Sequence, residues 1–404
     1  MKKKKSLAGF IVAFCVTLLI MLALLELSKN TVPGFVMLLI ISAIYCYAYV
    51  SRREKATRWK VFLYLFWVAS FCIILFVTKP PTKPVPAVDY KNPVKTDVVT
   101  IKNGQVQGVV TEDGAVEIYA GIPYAKPPVG DLRWKEPEDP DDWSGVLLAD
   151  KFAPMSMQPV KSPLYNSLAQ IIGYHDYKIS LKDNYVPPVS EDSLYINIWK
   201  PAGSCENLPV VVYVHGGSLQ TGQPWYDDYS GKGLAKEGVI VVNMGYRLGV
   251  FGYLSLPELA SDSAHGTTGN YGLLDQIKAL EWVRDNISAF GGDPDNVTLS
   301  GESAGSASVS ALCVSPLAKG LFKRAVLESS TVAPVTPTHS FRLLSEGFES
   351  GKELMKRHNC NTLEELRALD AKDLAGEAET QHHMTVDGYA LGKTPFEYYN
   401  EGEY

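Results

Sequence analysis

The chain has 404 residues, of which 46% are hydrophobic, and its formal net charge is −6. The first 60 residues contain ten Lys/Arg and two Asp/Glu, a net charge of +8, so the remainder of the chain carries −14. An acidic remainder argues against nucleic acid as a partner, because proteins that bind it present basic surfaces to the phosphates. This length suits one large α/β domain with an additional segment.

Three uncharged, mostly apolar stretches lie near the N-terminus, at residues 7–25, 32–50 and 61–78. Each is long enough to cross the hydrocarbon core of a bilayer as a helix, which predicts a membrane region over residues 1–78. A cleavable signal peptide is the alternative for the first stretch, because the lysines at positions 2–5 resemble a basic leader. However, no A-x-A-like cleavage site follows Leu25, and two further apolar stretches come after it, so we expect the first stretch to remain as a membrane span.

Basic residues are distributed unevenly around these stretches. Four lysines precede the first stretch and five Lys/Arg lie between the second and the third, whereas Lys29 is the only basic residue between the first and the second. The positive-inside rule then places the N-terminus in the cytoplasm and everything after Thr78 outside. We therefore predict a multi-pass membrane protein with an extracytoplasmic folded domain.

Residues 79–96 contain five prolines and little apolar periodicity, which predicts an extended linker. A folded domain is predicted over residues 97–404. Three cysteines lie within it, and their odd number and wide spacing indicate neither a disulfide framework nor a metal site: Cys205, Cys313 and Cys360.

Strand patterns alternate with helical patterns in this domain. Continuous β-branched runs at residues 209–214 and 239–244 predict strands buried on both faces, and residues 273–290 predict an amphipathic helix. Polar residues around Gly114 predict a hairpin turn. This order is typical of an α/β fold with a mostly parallel central sheet.

The segment Gly301-Glu302-Ser303-Ala304-Gly305 follows a β-rich run and precedes a series of small residues. In a G-x-S-x-G elbow the chain turns sharply from strand to helix, so the flanking positions tolerate almost no side chain. The pattern predicts that the Ser303 hydroxyl is exposed at the end of a strand.

Several other motifs accompany this elbow in a fixed order, and together they resemble the type B carboxylesterase family, which includes the cholinesterases. They are His215-Gly216-Gly217, the run 269–276, Trp282-Val283, Asn286-Ile287, the run 290–294 and the elbow itself. The resemblance covers residues 97–404. It implies an α/β-hydrolase fold and hydrolysis of small-molecule esters outside the cytosol, and we expect no cofactor and no metal.

By this resemblance, Ser303 is the nucleophile that forms an acyl-enzyme, and the backbone N–H groups of Gly217, Ser218 and Ala304 form the oxyanion hole. Ser218 replaces the family's commonest residue, glycine, and whether it keeps glycine-like backbone angles is open. Glu302 either lines the floor of the site or serves as a structural hydrogen-bond acceptor.

The resemblance also assigns positions outside the elbow. Ser156 and Ser193 stand where relatives often have a disulfide, which predicts a loop held by packing alone. Ser329 either matches a family serine behind the catalytic triad or is a turn residue at the end of a strand. His215 belongs to the oxyanion loop, where we expect it to shape the backbone.

The acid and the histidine of the triad are missing from the sequence. In the family they follow a motif that residues 386–391 resemble, and this sequence ends at Tyr404 before reaching them. Four histidines follow Ser303, and we expect them to be solvated surface residues rather than the base: His339, His358, His382 and His383. We therefore predict that residues 1–404 alone have negligible turnover and that a companion C-terminal segment completes the enzyme.

The same comparison implies that the C-terminal strands of the sheet are missing. The run 325–327 would then present an exposed apolar strand edge, which favours aggregation. Two functions remain: a membrane-anchored serine carboxylesterase, and a non-catalytic binding or adhesion ectodomain of the same fold. The intact elbow and oxyanion loop favour the esterase, because a binding module needs neither.

Overall fold

The computed structural model describes residues 2–52, 54–79, 88, 93–159, 188–225, 227–329, 341–377 and 383–402. The chain divides into a helical unit within residues 1–83 and an α/β unit whose described residues lie between 84 and 404. Most of the predicted linker, residues 79–96, lies outside the described residues.

The helical unit contains three helices, α1 (Lys2–Leu27), α2 (Val32–Ser51) and α3 (Thr57–Val77). Each is long and apolar enough to cross a membrane, which confirms the predicted apolar helices. Proline in the first turn of α2 is favourable, because its missing N–H has no partner inside a helix at that position. Most of their apolar side chains face outward, as lipid-facing surfaces require.

Several polar side chains inside the helical unit hydrogen-bond to one another. The Trp67 indole donates a hydrogen bond to the Ser42 hydroxyl at 3.0 Å. Asn30, in the loop before α2, donates to the Thr78 hydroxyl at 2.8 Å and to the Leu75 carbonyl at 2.9 Å. The bonds of Asn30 tie the first loop to the end of α3, and each gives a buried polar group a partner inside the unit.

The α/β unit is built on a sheet of eight strands in the order β1-β4-β5-β9-β11-β10-β12-β13. Its strands are β1 (Val94–Lys95), β4 (Val109–Val110), β5 (Val116–Pro123), β9 (Tyr195–Pro201), β10 (Leu208–Val214), β11 (Ile240–Met244), β12 (Gly292–Glu302) and β13 (Arg324–Glu328). In this sheet the four strands β11, β10, β12 and β13 are parallel, whereas β1, β4, β5 and β9 pair antiparallel. The short turn at Gly114 explains part of this, because a tight turn can join only antiparallel strands.

Seven further strands form smaller sheets. They are β2 (Val99–Ile101), β3 (Gly104–Gln107), β6 (Val146–Leu148), β7 (Met155–Ser156), β8 (Val189–Ser190), β14 (Phe341–Leu343) and β15 (Met384–Val386). The helices of this unit are α4 (Lys232–Lys236), α5 (Gly249–Tyr253), α6 (Pro257–Asp262), α7 (Tyr271–Asn286), α8 (Ala304–Val314), α9 (Leu344–Arg357), α10 (Leu363–Arg367), α11 (Ala371–Ala375) and α12 (Pro395–Glu401).

The predicted buried strands and the amphipathic helix are present. All five residues of β11 are buried, as expected for a strand covered on both faces. The predicted helix corresponds to α7 and the following turn Ile287–Phe290, and the chain then reverses at Gly291, whose φ is +87°. Together with β10 and β12, these elements place the elbow at the carboxyl end of a central parallel strand.

A buried ion pair joins the loop after β11 to α7. The Arg247 guanidinium donates to both carboxylate oxygens of Asp275, at 2.8 and 2.7 Å, and their side chains are 3% and 0% exposed. The same carboxylate accepts the backbone N–H of Arg247 at 3.0 Å, and the Lys135 carbonyl accepts from the guanidinium at 2.8 Å. Every charge in this pair is therefore compensated where water has no access.

Strand β13 forms one edge of the large sheet. It pairs with β12 on one side, and no described strand pairs with its other side. Val326 is 44% exposed and Leu327 is 42% exposed, although both belong to an apolar run. The exposed apolar edge expected from the sequence is therefore present in the described part of the chain.

The two positions that the family resemblance joins by a disulfide are not held by packing alone, so this expectation was wrong. The Ser156 hydroxyl donates to the Tyr246 carbonyl at 2.6 Å and lies 3.0 Å from the Ser193 hydroxyl, and both serines are buried. Two hydroxyls that lose water must pair with other polar groups, so they hydrogen-bond at the positions where the resemblance implies a disulfide.

This contact predicts an engineered disulfide. Replacing both residues, Ser156→Cys with Ser193→Cys, is expected to raise the free energy of unfolding by about 2–4 kcal/mol, because the bond would close a long loop in the unfolded chain. Urea unfolding of the oxidised double variant, followed by tryptophan fluorescence, measures this gain. The Ser156→Cys single variant and the reduced double variant should show none of it. A bond visible on a non-reducing gel without any gain in stability would contradict the prediction.

Candidate active site

The elbow turns the chain from β12 into α8 at Ser303. This residue has φ +55° and ψ −122°, a region that a residue with a side chain enters only at a cost. Its backbone N–H donates to the Glu328 carbonyl at 2.9 Å, and its own carbonyl accepts from the Ala307 N–H at 3.0 Å. Hydrogen bonds to β13 and to α8 therefore hold the strained backbone in place.

Glycines at the elbow permit this turn. A Cβ atom on Gly301 would lie 2.6 Å from the Gly305 carbonyl carbon, and one on Gly305 would overlap the Val214 carbonyl oxygen at the end of β10. The strand and the helix thus approach more closely than any side chain allows. As a result, Ser303 is half-buried at the rim of the sheet rather than enclosed in it.

The predicted oxyanion loop lies beside this serine. A Cβ atom on Gly216 would lie 3.1 Å from Ser303 Cβ, so the loop borders the nucleophile at Gly216. Gly217 has φ +112° and Ser218 has φ +58°, so Ser218 adopts the left-handed backbone that the family's glycine would adopt. The sequence left open whether Ser218 keeps a glycine-like backbone, and its positive φ angle shows that it does.

Ala304 is the first residue of α8, where backbone N–H groups have no partner within the helix. The N-terminal end of the helix carries partial positive charge, which attracts an anion that forms on the Ser303 side. The structure thus places Gly216 of the predicted oxyanion loop and the start of α8 next to one serine.

His215 lies beneath the oxyanion loop and not beside the nucleophile. It is 1% exposed, its Nδ1–H donates to the Gly216 carbonyl at 2.8 Å, and its ring stacks on that of Tyr246 with centroids 4.5 Å apart. The Tyr246 hydroxyl donates in turn to the His215 carbonyl at 2.7 Å. Burial lowers the pKa of His215 from 6.5 to about 4, so the ring is neutral near pH 7.

This burial predicts a pH dependence of stability. Since the pKa of His215 is lower in the folded state, the unfolded chain binds more protons between pH 6.5 and 4, and stability falls as pH falls through that window. His215→Phe should reduce this loss by about 3 kcal/mol, as measured by urea unfolding at several pH values. An unaltered pH dependence in His215→Phe would refute this assignment.

Glu302 lies against the oxyanion loop, because a Cβ atom on Gly216 would lie 2.8 Å from its carboxylate. Burial raises the pKa of Glu302, and the Glu328 carboxylate nearby raises it further. The Ser300 hydroxyl donates to Glu328 at 3.1 Å, whereas the Glu302 carboxylate accepts no hydrogen bond from any described residue. This arrangement favours the interpretation that Glu302 faces the site over a structural acceptor role.

The sequence profile of the Carboxylesterase family matches residues 95–403. The chain belongs to this family. It is 43% identical over 284 residues to the para-nitrobenzyl esterase of Bacillus subtilis (strain 168), which covers 69% of this chain and 53% of that protein. It is 37% identical over 303 residues to the fumonisin B1 esterase of Sphingopyxis macrogoltabida, covering 72% of this chain and 50% of that protein.

Solved carboxylesterase structures show the same fold. The Geobacillus stearothermophilus carboxylesterase EST55 superposes with a TM-score of 0.64 at 36% identity, covering 76% of this chain and 59% of that one. A PNB esterase structure gives a TM-score of 0.64 at 36% identity, covering 76% and 60%. The α/β-hydrolase fold is thus confirmed, and the chain spans about half the length of the curated relatives it matches.

The hydroxyl of Ser303, the nucleophile expected from the sequence, makes no hydrogen bond with any described residue. His265 instead contacts Glu136 at 2.8 Å, and His358 contacts Glu377 at 3.2 Å. His339 and His382 lie outside the described residues, and among the described ones no group of three His, Cys, Asp or Glu could hold a metal ion.

Two supports of the oxyanion loop were missed by sequence reasoning. Gln158 holds the loop from below, because its amide accepts from the Gly222 N–H at 2.9 Å and donates to the Gly222 carbonyl at 2.8 Å. Leu219 is buried with φ +58°, and its carbonyl accepts from the Gly249 N–H at 2.7 Å. No local pattern indicates either contact, since the partners are far apart in the chain. Ser329, which follows β13, also has φ +55° and is exposed.

Proposed function

We propose that this chain belongs to a membrane-anchored serine carboxylesterase in which Ser303 is acylated by a carboxylic ester. The observation that carries this proposal is the elbow, which holds Ser303 at φ +55° and ψ −122° beside Gly216 of the oxyanion loop and directly before the first residue of α8. Backbone strain concentrates at functional sites, and here it falls on the serine of the G-x-S-x-G pattern.

In the proposed reaction, Ser303 Oγ attacks the ester carbonyl carbon and its proton passes to a base. The carbonyl oxygen becomes an oxyanion that accepts hydrogen bonds from the N–H groups of Gly217, Ser218 and Ala304, each worth roughly 10²–10³ in rate. Collapse of the tetrahedral intermediate expels the alcohol and leaves an acyl-enzyme. Water then attacks the acyl carbon through a second oxyanion and releases the acid. Glu302 is proposed to face the bound ester.

The base and the acid of the triad are proposed to lie on a segment outside residues 1–404, either later in the same chain or in a companion chain. Two observations support this proposal. The first is that Ser303 Oγ has no hydrogen-bond partner among the described residues. The second is that β13, which has no described partner strand on one side, contains Glu328, whose carbonyl accepts the Ser303 N–H. A segment that pairs with β13 would therefore arrive beside the nucleophile.

Membrane anchoring and orientation are proposed from the N-terminal helices and their flanking charges. An odd number of spans puts the N-terminus and the hydrolase domain on opposite sides of the bilayer. The basic residues before α1 and between α2 and α3 then place the hydrolase domain outside the cytoplasm.

The test compares residues 1–404 alone with the same chain joined to the corresponding C-terminal part of the Bacillus subtilis para-nitrobenzyl esterase. A fluorescent phosphonate probe reports an activated serine. We expect labelling only in the joined protein, and none after Ser303→Ala. Ester hydrolysis by residues 1–404 alone that Ser303→Ala abolishes would contradict the requirement for a companion segment.

A binding or adhesion ectodomain is the second candidate, and the missing base is the observation that favours it. This alternative would be supported if the probe does not label the joined protein while its far-ultraviolet circular dichroism shows a folded α/β domain. Labelling of Ser303 would exclude it as the sole function.

A further inference from the structure

Basic residues of the helical unit gather at one end of its three helices. Helix α1 begins at Lys2, α2 ends at Ser51 and α3 begins at Thr57, so residues 2–5, residues 52 and 54–56 of the connecting loop, and the first turn of α3 belong to the same end. Contacts between helices confirm this arrangement. The rings of Phe10 and Tyr49 stack with centroids 3.6 Å apart, and Lys60 Nζ lies 5.6 Å from the centre of the Tyr49 ring.

We call this end, residues 2–5, 52 and 54–60, the basic face. It contains eight Lys/Arg and one acidic residue, Glu54, so its net charge is +7. The loop 28–31 at the opposite end contains Lys29 as its only charged residue. This asymmetry exceeds what one short loop needs in order to orient a helix, since a few basic residues suffice for that.

Four cations of the basic face are available for a ligand. Arg52, Lys55 and Arg58 are exposed and Lys60 is half-buried, and none of these four forms an ion pair among the described residues. Two of them contact aromatic rings instead, because Arg52 lies 5.7 Å from the centre of the Trp59 ring and Lys60 lies over Tyr49. Cations combined with Trp and Tyr at helix ends are typical of the headgroup layer of a bilayer.

We propose that the basic face binds anionic phospholipid headgroups in the leaflet around it. The proposal rests on the membrane insertion proposed above, which sets these cations at the depth of the lipid phosphates. Each Lys or Arg near an anionic surface adds to the attraction. Lipid phosphates already surround this face in the plane of the membrane, whereas a soluble polyanion must reach it from the water. The helical unit would then collect anionic lipids as well as anchor the hydrolase domain.

The experiment uses the full chain in phosphatidylcholine vesicles that contain spin-labelled phosphatidylglycerol or spin-labelled phosphatidylcholine. The motionally restricted fraction of each label gives the relative association constant of the two lipids. We expect phosphatidylglycerol to be preferred at least about fivefold, the factor expected from a single effective cation. Added salt should reduce this preference, because it screens charges near the surface.

A variant with Arg52→Gln, Lys55→Gln, Arg58→Gln and Lys60→Gln should lose most of the preference. The matched control carries Lys319→Gln, Lys323→Gln, Lys352→Gln and Lys356→Gln, which removes the same charge from exposed positions of the α/β unit. It should keep the full preference. Equal restriction of both labels in the unmodified chain, or a preference that the first variant retains, would overturn the proposal.

Two further controls separate this proposal from its alternatives. Resistance to extraction by alkaline carbonate reports membrane insertion itself, so an inserted chain without lipid preference overturns only the lipid proposal. Extraction by carbonate would instead overturn the proposed anchoring and the lipid proposal with it. Release of restricted phosphatidylglycerol by low concentrations of inorganic polyphosphate would identify a soluble polyanion as the better ligand and overturn the assignment to lipid.

Discussion

Ser303→Ala is expected to lower kcat for ester hydrolysis by about 10⁴- to 10⁶-fold in the protein joined to a completing C-terminal segment. Without the hydroxyl no acyl-enzyme forms, and the remaining catalysis would come from substrate binding and from the oxyanion donors alone. Hydrolysis of a chromogenic ester, together with labelling by a phosphonate probe, measures both losses. The effect should appear in kcat more than in KM, because the oxyanion loop and its N–H groups are unchanged.

The control for this prediction is Ser261→Ala, which removes an exposed hydroxyl in α6 that bonds only to the Pro257 carbonyl. Its activity should match that of the parent within a factor of about two, as expected for a surface substitution. If Ser303→Ala kept a tenth or more of the parental rate, acyl transfer would not proceed through Ser303. The proposed mechanism would then have to be abandoned.

Replacing Arg247 by methionine is expected to lower the free energy of unfolding by about 3–5 kcal/mol, the usual cost of leaving a buried charge without its partner. Asp275 is 0% exposed and would keep only the backbone N–H of residue 247 as a described donor. Urea unfolding of the full chain in detergent, followed by tryptophan fluorescence, measures the loss. A change of this size is a large part of the stability of an ordinary domain, so poor expression is also expected.

Two variants identify the cause of this loss. Arg284→Met breaks an exposed pair with Asp285, whose side chains are 51% and 32% exposed, and should cost at most about 0.5 kcal/mol. Adding Asp275→Leu to Arg247→Met removes the stranded carboxylate and should restore part of the stability. A double variant that is less stable than Arg247→Met would show that packing of the arginine stem, not the unpaired carboxylate, determines the cost.

Local patterns predicted the elements that build the site. The buried strands β10 and β11, the helix α7 and the elbow all depend on residues close together in the chain, where periodicity and glycine placement are informative. The elbow glycines illustrate this, because the close approach of Gly305 to Val214 is built into the strand-turn-helix pattern itself. The free edge of β13 also followed from the expected strand order.

Contacts between distant residues do not follow from local patterns. The Ser156 and Ser193 hydroxyls meet across 37 positions, a pairing that only the family resemblance indicated, and Gln158 reaches Gly222 across 64. Neither serine nor glutamine has a pattern that marks it as a support of a loop. The backbone conformation of Ser218 could not be predicted for a similar reason. Its left-handed φ angle is imposed by the surrounding loop and not by the preference of serine itself.

The edge of β13 that no described strand covers should also affect how long the chain survives in a living cell. Chaperones retain, and proteases degrade, proteins that display unpaired apolar segments, so small differences in exposure change steady-state levels several-fold. Val326 and Leu327 on this strand are 44% and 42% exposed. Co-expression of the segment that pairs with this strand should therefore raise the amount of protein on an immunoblot, even when Ser303 has been removed and no catalysis can occur.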